Sequence, residues 1–159
     1  MYISGDNPCL SCILNNPQKI REIFINSEKS NIYKQLIERH KLNGITRYLP
    51  KKELLKIDKE DKRSSNDIII RRDIYTSVSL GEIVSPKPKN SLIILIDQLN
   101  DQNNLGNIIR TSSLIGADGI IIPEHSSAQI NNITSTTSSG AIEVLKFNIS
   151  KNISRTLED

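Results

Sequence analysis

Tryptophan is absent from this sequence of 159 residues, and aromatic residues make up only 4% of it. No apolar run approaches the roughly 20 residues of a membrane span, so the chain is expected to be soluble and to have no membrane partner. The amino terminus also lacks the basic start and apolar centre of a signal peptide, which predicts a cytoplasmic location. The length and a hydrophobic content of 36% allow one domain of ordinary size or two small ones.

Residues that bind metals are scarce as well. The two cysteines, Cys9 and Cys12, form one CxxC pair, and the two histidines, His40 and His125, are isolated from it. A CxxC pair can be half of a zinc site or a redox pair. Without a second pair, the spacing more simply places both cysteines on one side of a short helix, facing a core. No metal site is predicted.

The formal charge of +3 is unevenly distributed along the chain. Residues 1–89 carry 17 Lys and Arg against 11 Asp and Glu, a net +6, whereas residues 90–159 carry 4 against 7, a net −3. A basic amino-terminal part suggests a polyanionic partner such as nucleic acid. A solvated lysine-rich surface gives the same composition, and residues 51–63 are most simply such a surface.

Residues 92–123 contain the clearest pattern in the sequence. The apolar run 92–96 has the length and composition of a strand buried on both faces of a parallel sheet. A polar loop follows up to Asn104, and apolar residues then recur at helical spacing until Gly116, which is typical of a helix that ends at a glycine. A second apolar run ends at Pro123. The pattern predicts a strand, a helix and a second, parallel strand.

The loop between the first strand and the helix is where we expect chemistry, because ligands meet the carboxyl ends of parallel strands. The polar residues of the loop and the helix are Asp97, Asp101, Asn103, Asn104 and Arg110. Considered alone, Asn104 is most simply the residue that caps the helix, and Arg110 is a solvated helix residue. Asp97 and Asp101 would end the strand and shape the loop.

Three sequence blocks occur in the same order as in a known family. They are residues 104–111 with the sequence NLGNIIRT, residues 127–131 with the sequence SAQIN, and residues 139–143 with the sequence SGAIE. Together with Gly116 and the strand that ends at Pro123, these blocks closely resemble the motifs of the SpoU-type, TrmH-like RNA 2′-O-ribose methyltransferases of the SPOUT superfamily. The agreement of several blocks makes the resemblance specific, since a single NLGN motif would be weak.

The resemblance implies an α/β fold with two domains. Residues 91–159 would be the amino-terminal half of a parallel-sheet, Rossmann-like SPOUT domain, and residues 77–90, which contain glycine, serine and proline, would be an extended linker. Residues 1–76 have the order and size of the small α/β RNA-recognition domain that precedes the catalytic domain in many relatives. Where those relatives carry a His-Gln-Gly-type segment, this sequence has SSNDI at residues 64–68.

Local patterns in the first 76 residues support that α/β domain. Helices are predicted at residues 7–14, at residues 32–40 and after Pro50, and short strands at residues 23–25, 45–48 and 68–70. The last of these strands is expected to close a sheet.

The resemblance also implies a methyl donor, S-adenosylmethionine, held by a trefoil knot that the carboxyl-terminal part of a SPOUT domain forms. That part supplies motifs 2 and 3, which have no counterpart before Asp159. The chain is therefore expected to be truncated before the knot and to contain no donor-binding residues of its own. A degraded or split gene, or a truncated paralogue that retains RNA binding, would give such a chain.

The resemblance assigns roles to individual residues. Arg110 and Asn104 would be the catalytic residues that contact the RNA. Arg110 would bind a phosphate and support the developing oxyanion, and Asn104 would orient Arg110 or the ribose. The three residues with structural or interface roles would be Gly106, Gly140 and Glu143. The family's usual proline two positions before Asn104 is replaced by Gln102, which predicts a less rigid loop.

Two classes of function follow. The first is an S-adenosylmethionine-dependent RNA 2′-O-ribose methyltransferase that acts on ribosomal or transfer RNA as a homodimer, since this family builds its site across two subunits. The second is a non-catalytic RNA-binding remnant of such an enzyme. A nucleotide-binding α/β domain is a third interpretation, but the sequence has no glycine-rich phosphate loop of the common spacings.

Overall fold

The structure is a computed structural model that describes residues 1–57, 67–84 and 91–158. It divides into two compact units, Met1–Ile74 and Tyr75–Asp159, which confirms the expected α/β class in each of them. The longest helix of the described ranges has 13 residues, and none of those helices could cross a membrane. Residues 64–66 of the SSNDI segment, which replaces the family's His-Gln-Gly-type segment, lie outside the described residues. Residues 58–63 of the lysine-rich stretch also lie outside them.

The first unit contains a four-stranded sheet. Its strands are β1 (Tyr2–Ser4), β2 (Ile20–Asn26), β3 (Thr46–Leu49) and β4 (Ile68–Arg72). Their spatial order is β1-β4-β2-β3, with β2 parallel to β3 and β4 antiparallel to both of its neighbours. The three predicted strands are confirmed, whereas β1 was not predicted. The expectation that residues 68–70 close the sheet is wrong, because β1 adds outside β4.

Three helices cover this sheet, and all three were predicted. They are α1 (Asp6–Asn15), α2 (Ser30–Arg39) and α3 (Lys51–Ile57). One face of the sheet packs against α1 and α2 in a core that contains both cysteines, fully buried, as the sequence predicted. The other face packs against α3 through a smaller cluster of Phe24, Leu54 and Ile69.

The second unit is built on a three-stranded parallel sheet. Its elements are α4 (Leu80–Val84), β5 (Ile93–Leu95), α5 (Gln102–Leu114), β6 (Gly119–Pro123), α6 (Asn132–Thr137), β7 (Lys146–Ser150) and α7 (Ile153–Glu158). The strand order β5-β6-β7 confirms the predicted strand, helix and parallel strand. The expectation that β5 is buried on both faces is wrong. All three of its residues are half-buried, because β5 stands at an edge of this described sheet.

Residues 77–84 differ from the expected extended linker. The Val78 amide donates to the carbonyl oxygen of Phe147 on β7 at 2.9 Å, and the Ile149 amide donates to Ser77 Oγ at 2.8 Å. The side chain of Ile83 on α4 is fully buried against Gly119, where an added Cβ would come within 2.6 Å of it. The serines and glycine of this segment predicted a loop, but its apolar side chains have a partner in the sheet. Residues 85–90 lie outside the described residues.

Candidate functional site

The helix α5 carries most of the predicted site, and its start is fixed by Asp101. The Asp101 carboxylate accepts a hydrogen bond from the Asn104 amide at 2.7 Å, so Asp101 is the N-cap. The interpretation of Asn104 as the cap is therefore wrong, and Asp101 caps the helix instead. Gln102 is the first helical residue, the position at which proline best fits a helix. The helix ends at Leu114, and the predicted stop signal, Gly116, follows two residues later with a φ of +75° that favours glycine.

Arg110 lies on the exposed face of α5. The residues at spacings of four, three and four along this face are Asn103, Asn107, Arg110 and Leu114. The Arg110 guanidinium makes no hydrogen bond or ion pair with any described residue. The side chain of Leu114, one turn after Arg110, is 79% exposed. This face therefore presents an unneutralised cation beside an apolar side chain.

Asn104 and Arg110 are not brought together. Six residues separate them on α5, which corresponds to about 9 Å along the helix axis and about 120° around it. The Asn104 side chain is exposed and has no hydrogen-bond partner among the described residues. The residue beside Arg110 is instead Asn107, for which no role was predicted. Its spacing of three residues from Arg110 was the available signal.

Gly106 allows α5 and α6 to approach closely. A Cβ at this position would lie 2.6 Å from Thr137 Cβ and 3.0 Å from the carbonyl oxygen of Thr134. One turn earlier on α5, Asn103 Oδ1 accepts a hydrogen bond from Thr137 Oγ1 at 3.2 Å. The hydroxyl-bearing residues 134–137 thus belong to a helix that packs on α5. This contact packs α6 against the amino-terminal half of the same stripe of α5 that carries Arg110, because Gly106 lies four residues before Arg110.

Glu143 and Gly140 hold the segment that follows α6. Glu143 is buried, and its carboxylate accepts a hydrogen bond from the Tyr75 hydroxyl at 2.6 Å. The same hydroxyl lies 3.0 Å from Ser135 Oγ on α6. Gly140 turns the chain with a left-handed φ of +83° between α6 and Glu143. The Tyr75 hydroxyl therefore connects the first residue of the unit to the buried Glu143 carboxylate and to α6.

The loops at the carboxyl ends of β5 and β6 bond to each other. The Leu99 carbonyl oxygen accepts hydrogen bonds from the Ala128 amide and from Ser127 Oγ. Each loop also contains one non-glycine residue with a left-handed backbone, Gln98 with φ +49° and Ser126 with φ +57°. Such conformations cost energy and cluster at functional sites. A ligand was predicted at this edge, where Asp97 and Asp101 are both exposed.

The first unit supplies the basic surface. Arg21 hydrogen-bonds to Asp73, which holds the pKa of that carboxyl below its usual value. Lys51 contacts Asp67 at 2.9 Å. The exposed lysines without an ion pair to any described residue include Lys34, Lys41, Lys52 and Lys56. Positive charge is thus left over after the pairs are formed. No three Cys, His, Asp or Glu side chains within residues 1–57, 67–84 and 91–158 group as metal ligands.

The sequence model of the SpoU rRNA Methylase family matches residues 91–159. Two curated relatives align with 99% of the chain. One is a putative TrmH family tRNA/rRNA methyltransferase, YacO, from Bacillus subtilis, at 29% identity. The other is the 23S rRNA (guanosine-2'-O-)-methyltransferase RlmB from Haemophilus influenzae, at 28% identity. The chain spans 64% and 65% of these two proteins.

Solved structures share the fold. The SpoU methyltransferase AviRb from Streptomyces viridochromogenes, in complex with AdoMet, superposes with a TM-score of 0.75 at 16% identity, over 99% of this chain and 58% of that one. An AdoMet-bound rRNA methyltransferase from Sinorhizobium meliloti superposes with a TM-score of 0.67 at 17% identity, over 99% of this chain and 56% of that one.

Proposed function

Since residues 91–159 belong to the SpoU rRNA methylase family, of the SPOUT superfamily, we propose that the chain carries the RNA-contacting part of an RNA 2′-O-ribose methyltransferase. The RNA would be ribosomal or transfer RNA, as the names of the two relatives suggest. The observation that carries the proposal is the exposed side chain of Arg110. It has no partner among the described residues and lies inside the family-like block of residues 104–111.

Arg110 is suited to binding an RNA phosphate. A ribose 2′-hydroxyl is a poor nucleophile at neutral pH and must be held in line with the methyl group that it attacks. Arginine is almost never deprotonated, so a role as general base is excluded on chemical grounds. Its planar guanidinium can instead grip a phosphate through two parallel hydrogen bonds and stabilise charge on the nearby oxygen.

Asn104 and Asn107 have separate roles in this proposal. Asn104 stands at the first turn of α5, its side-chain amide makes no hydrogen bond to any described residue, and it would contact the ribose itself. It would not orient Arg110, because the two side chains point about 120° apart. Asn107 lies three residues before Arg110 on the exposed face and would position the guanidinium or the same phosphate. Gly106, Gly140 and Glu143 support α5 through its packing on α6.

The proposed enzyme is a homodimer. Arg110 lies eight residues after the first residue of α5, about 12 Å along the axis from the strand ends at which that helix starts. We infer that a second copy contributes its Arg110 to the site, because the family that the sequence resembles builds its site across two subunits. Leu114, four residues further on the same face and 79% exposed, gives such a contact an apolar centre.

S-adenosylmethionine is the methyl donor that the family implies, and the described residues do not by themselves form a site for it. An adenosine needs free backbone donors and acceptors at the carboxyl edge of the sheet. There, the Leu99 carbonyl oxygen already accepts two hydrogen bonds, and the Ser150 carbonyl oxygen accepts one from the Glu124 amide. The role proposed for this chain is accordingly limited to the RNA. The second candidate function is RNA binding without catalysis.

Arg110→Gln tests the phosphate role. The full chain would be titrated with bulk transfer RNA and with ribosomal RNA over a range of salt concentrations. The variant is expected to bind several-fold more weakly, with a salt slope smaller by about 0.7–0.9. Arg155→Gln is the matched control, an exposed arginine on α7 for which no loss is expected. Equal affinity and slope for wild type and Arg110→Gln would contradict the role.

Calorimetry with S-adenosylmethionine separates the two candidate functions. Donor binding by the wild-type chain would support the methyltransferase. RNA binding without donor binding would leave the non-catalytic RNA-binding protein. A chain that binds neither S-adenosylmethionine nor RNA would contradict both candidate functions.

A further inference from the structure

On the first unit, the sheet face opposite α1 and α2 has two ends of different character. Where α3 covers it, Phe24 and Ile69 are buried beneath Leu54. The strand neighbours at the other end are Tyr2 on β1, Arg71 on β4 and Glu22 on β2, paired in register across three adjacent strands. They share a face because side chains alternate along a strand and their neighbours in sequence face the main core.

Two arginines share one carboxylate at this end. Arg71 Nε lies 2.6 Å from Glu22 Oε2, and Arg47 Nη2 of β3 lies 3.1 Å from Glu22 Oε1. The cluster keeps a net positive charge. Each guanidinium uses only one nitrogen on Glu22, so most of its N–H groups remain available. Glu22 therefore orients both arginines without neutralising them.

Tyr2 places an aromatic ring beside this charge. Its side chain is 41% exposed, and it stands directly across from Arg71. A flat sheet face with an exposed aromatic ring and flanking cations suits an unpaired nucleotide, whose base can stack on the ring while the phosphates meet arginine. A duplex hides its bases and cannot use the ring in this way.

We propose that the face formed by Tyr2, Arg71, Glu22 and Arg47, here called the tyrosine–arginine face, binds a single-stranded segment of the substrate RNA. The inference rests on the proposed RNA function and adds the kind of RNA structure that the first unit recognises. One base stacks on Tyr2, and the adjoining phosphates bind Arg71 and Arg47. Glu22 is a positioning residue.

The test uses the full chain and two fluorescein-labelled probes, a 12-nucleotide single-stranded RNA of mixed sequence and a blunt 12-base-pair RNA duplex. Tyr2→Leu is expected to weaken binding of the single strand about tenfold and to leave duplex binding unchanged. Tyr2→Phe keeps the ring and should stay within about twofold of wild type, since the stacking platform is retained.

Tyr48→Leu is the matched control. Tyr48 is 45% exposed in the same sheet, but it pairs with Ile25 and therefore belongs to the opposite face. No loss of affinity is expected. Arg47→Gln should reduce the salt slope for the single strand by about 0.7, whereas Lys34→Gln on α2 should reduce the slope equally for both probes or not at all.

The outcomes separate the inference from the function on which it rests. If the wild-type chain binds neither probe at low salt, the proposed RNA function fails and the inference with it. If the wild type binds, but Tyr2→Leu and Tyr48→Leu lose the same affinity, only the tyrosine–arginine face is overturned. If Tyr2→Leu lowers the affinity for the duplex and for the single strand equally, the stacking of a base on Tyr2 is overturned as well.

Discussion

Gly106 on α5 and Thr137 on α6 are in such close contact that a single added carbon at Gly106 would come within 2.6 Å of Thr137 Cβ. The neighbouring atoms at 3.0 and 3.1 Å belong to the backbone of α6, which cannot rotate away. The absence of a side chain at Gly106 thus sets the distance between α5, which carries Arg110, and α6.

Gly106→Ala is therefore expected to lower the free energy of unfolding of the second unit by about 1–2 kcal/mol. Contacts this close put the cost of overpacking at the upper end of its usual range, about 3 kcal/mol, and the gain in helix propensity, about 1 kcal/mol, offsets part of it. Chemical denaturation followed by circular dichroism measures the change. Gly81→Ala on α4 is the control, because its nearest neighbour would be 4.0 Å away and it should be neutral or stabilising.

Tyr75→Phe removes the hydroxyl that hydrogen-bonds to the buried Glu143 carboxylate. A hydrogen bond to a charged group contributes about 1.5–3 kcal/mol, and a loss of that order is expected in the second unit. Tyr48→Phe, at an exposed hydroxyl without a described partner, should change stability by less than about 0.5 kcal/mol. Equal effects of the two substitutions in denaturation would show that the Glu143 contact is unimportant.

Asp67 makes the stability of the first unit depend on pH. Burial alone would raise the pKa of this carboxyl, but hydrogen bonds from Asn26 at 2.8 Å and Lys51 at 2.9 Å outweigh burial and lower it. A lowered pKa in the folded state stabilises the protein above the unfolded value, near 4, and this stabilisation disappears as the pH falls through the folded value.

Asp67→Asn should accordingly be less stable than wild type by about 1–2 kcal/mol at pH 7, and the difference should shrink below about pH 4. Denaturation at a series of pH values measures it. Glu53→Gln on α3, at an exposed carboxylate, provides the comparison, with no such convergence expected. A difference that stays constant from pH 7 to pH 3 would contradict the role of the Asp67 charge.

Cys9 and Cys12 should react with a thiol reagent only when the first unit opens. Both side chains are fully buried in its main core, and Cys9 Sγ lies 3.6 Å from the Ile3 carbonyl oxygen. The rate of labelling in native buffer is expected to follow the opening of the unit and to rise sharply in denaturant. Rapid labelling of the native protein would restore a redox role for the CxxC pair.

Much of the fold follows from local patterns in the sequence. The run of residues 92–96, the helical spacing up to Gly116 and the stop at Pro123 predicted a parallel unit that the structure contains. Local pattern did not reveal β1, because three residues with one buried isoleucine carry too little periodicity to distinguish a strand from a loop.

Long-range contacts account for the remaining differences. Residues 77–84 resemble a linker in composition, and only the space above Gly119 gives Ile83 a place to be buried. The N-cap of α5 could not be identified from local patterns either. Periodicity located the start of α5 to within a few residues, but the choice between Asn104 and Asp101 as N-cap depended on a hydrogen bond at 2.7 Å. The family resemblance identified Arg110. That its guanidinium has no partner among the described residues follows only from the three-dimensional structure.

The packing of Ile83 on Gly119 matters to anyone who wishes to express the second unit alone. The family match begins at residue 91, and a fragment cut there would lose the hydrogen bonds of Ser77 and Val78 to β7 together with the Tyr75 hydroxyl. It would leave a bare hydrophobic notch and an unprotected strand edge, the two features that make a truncated protein precipitate. The practical boundary for cloning therefore lies upstream of Tyr75.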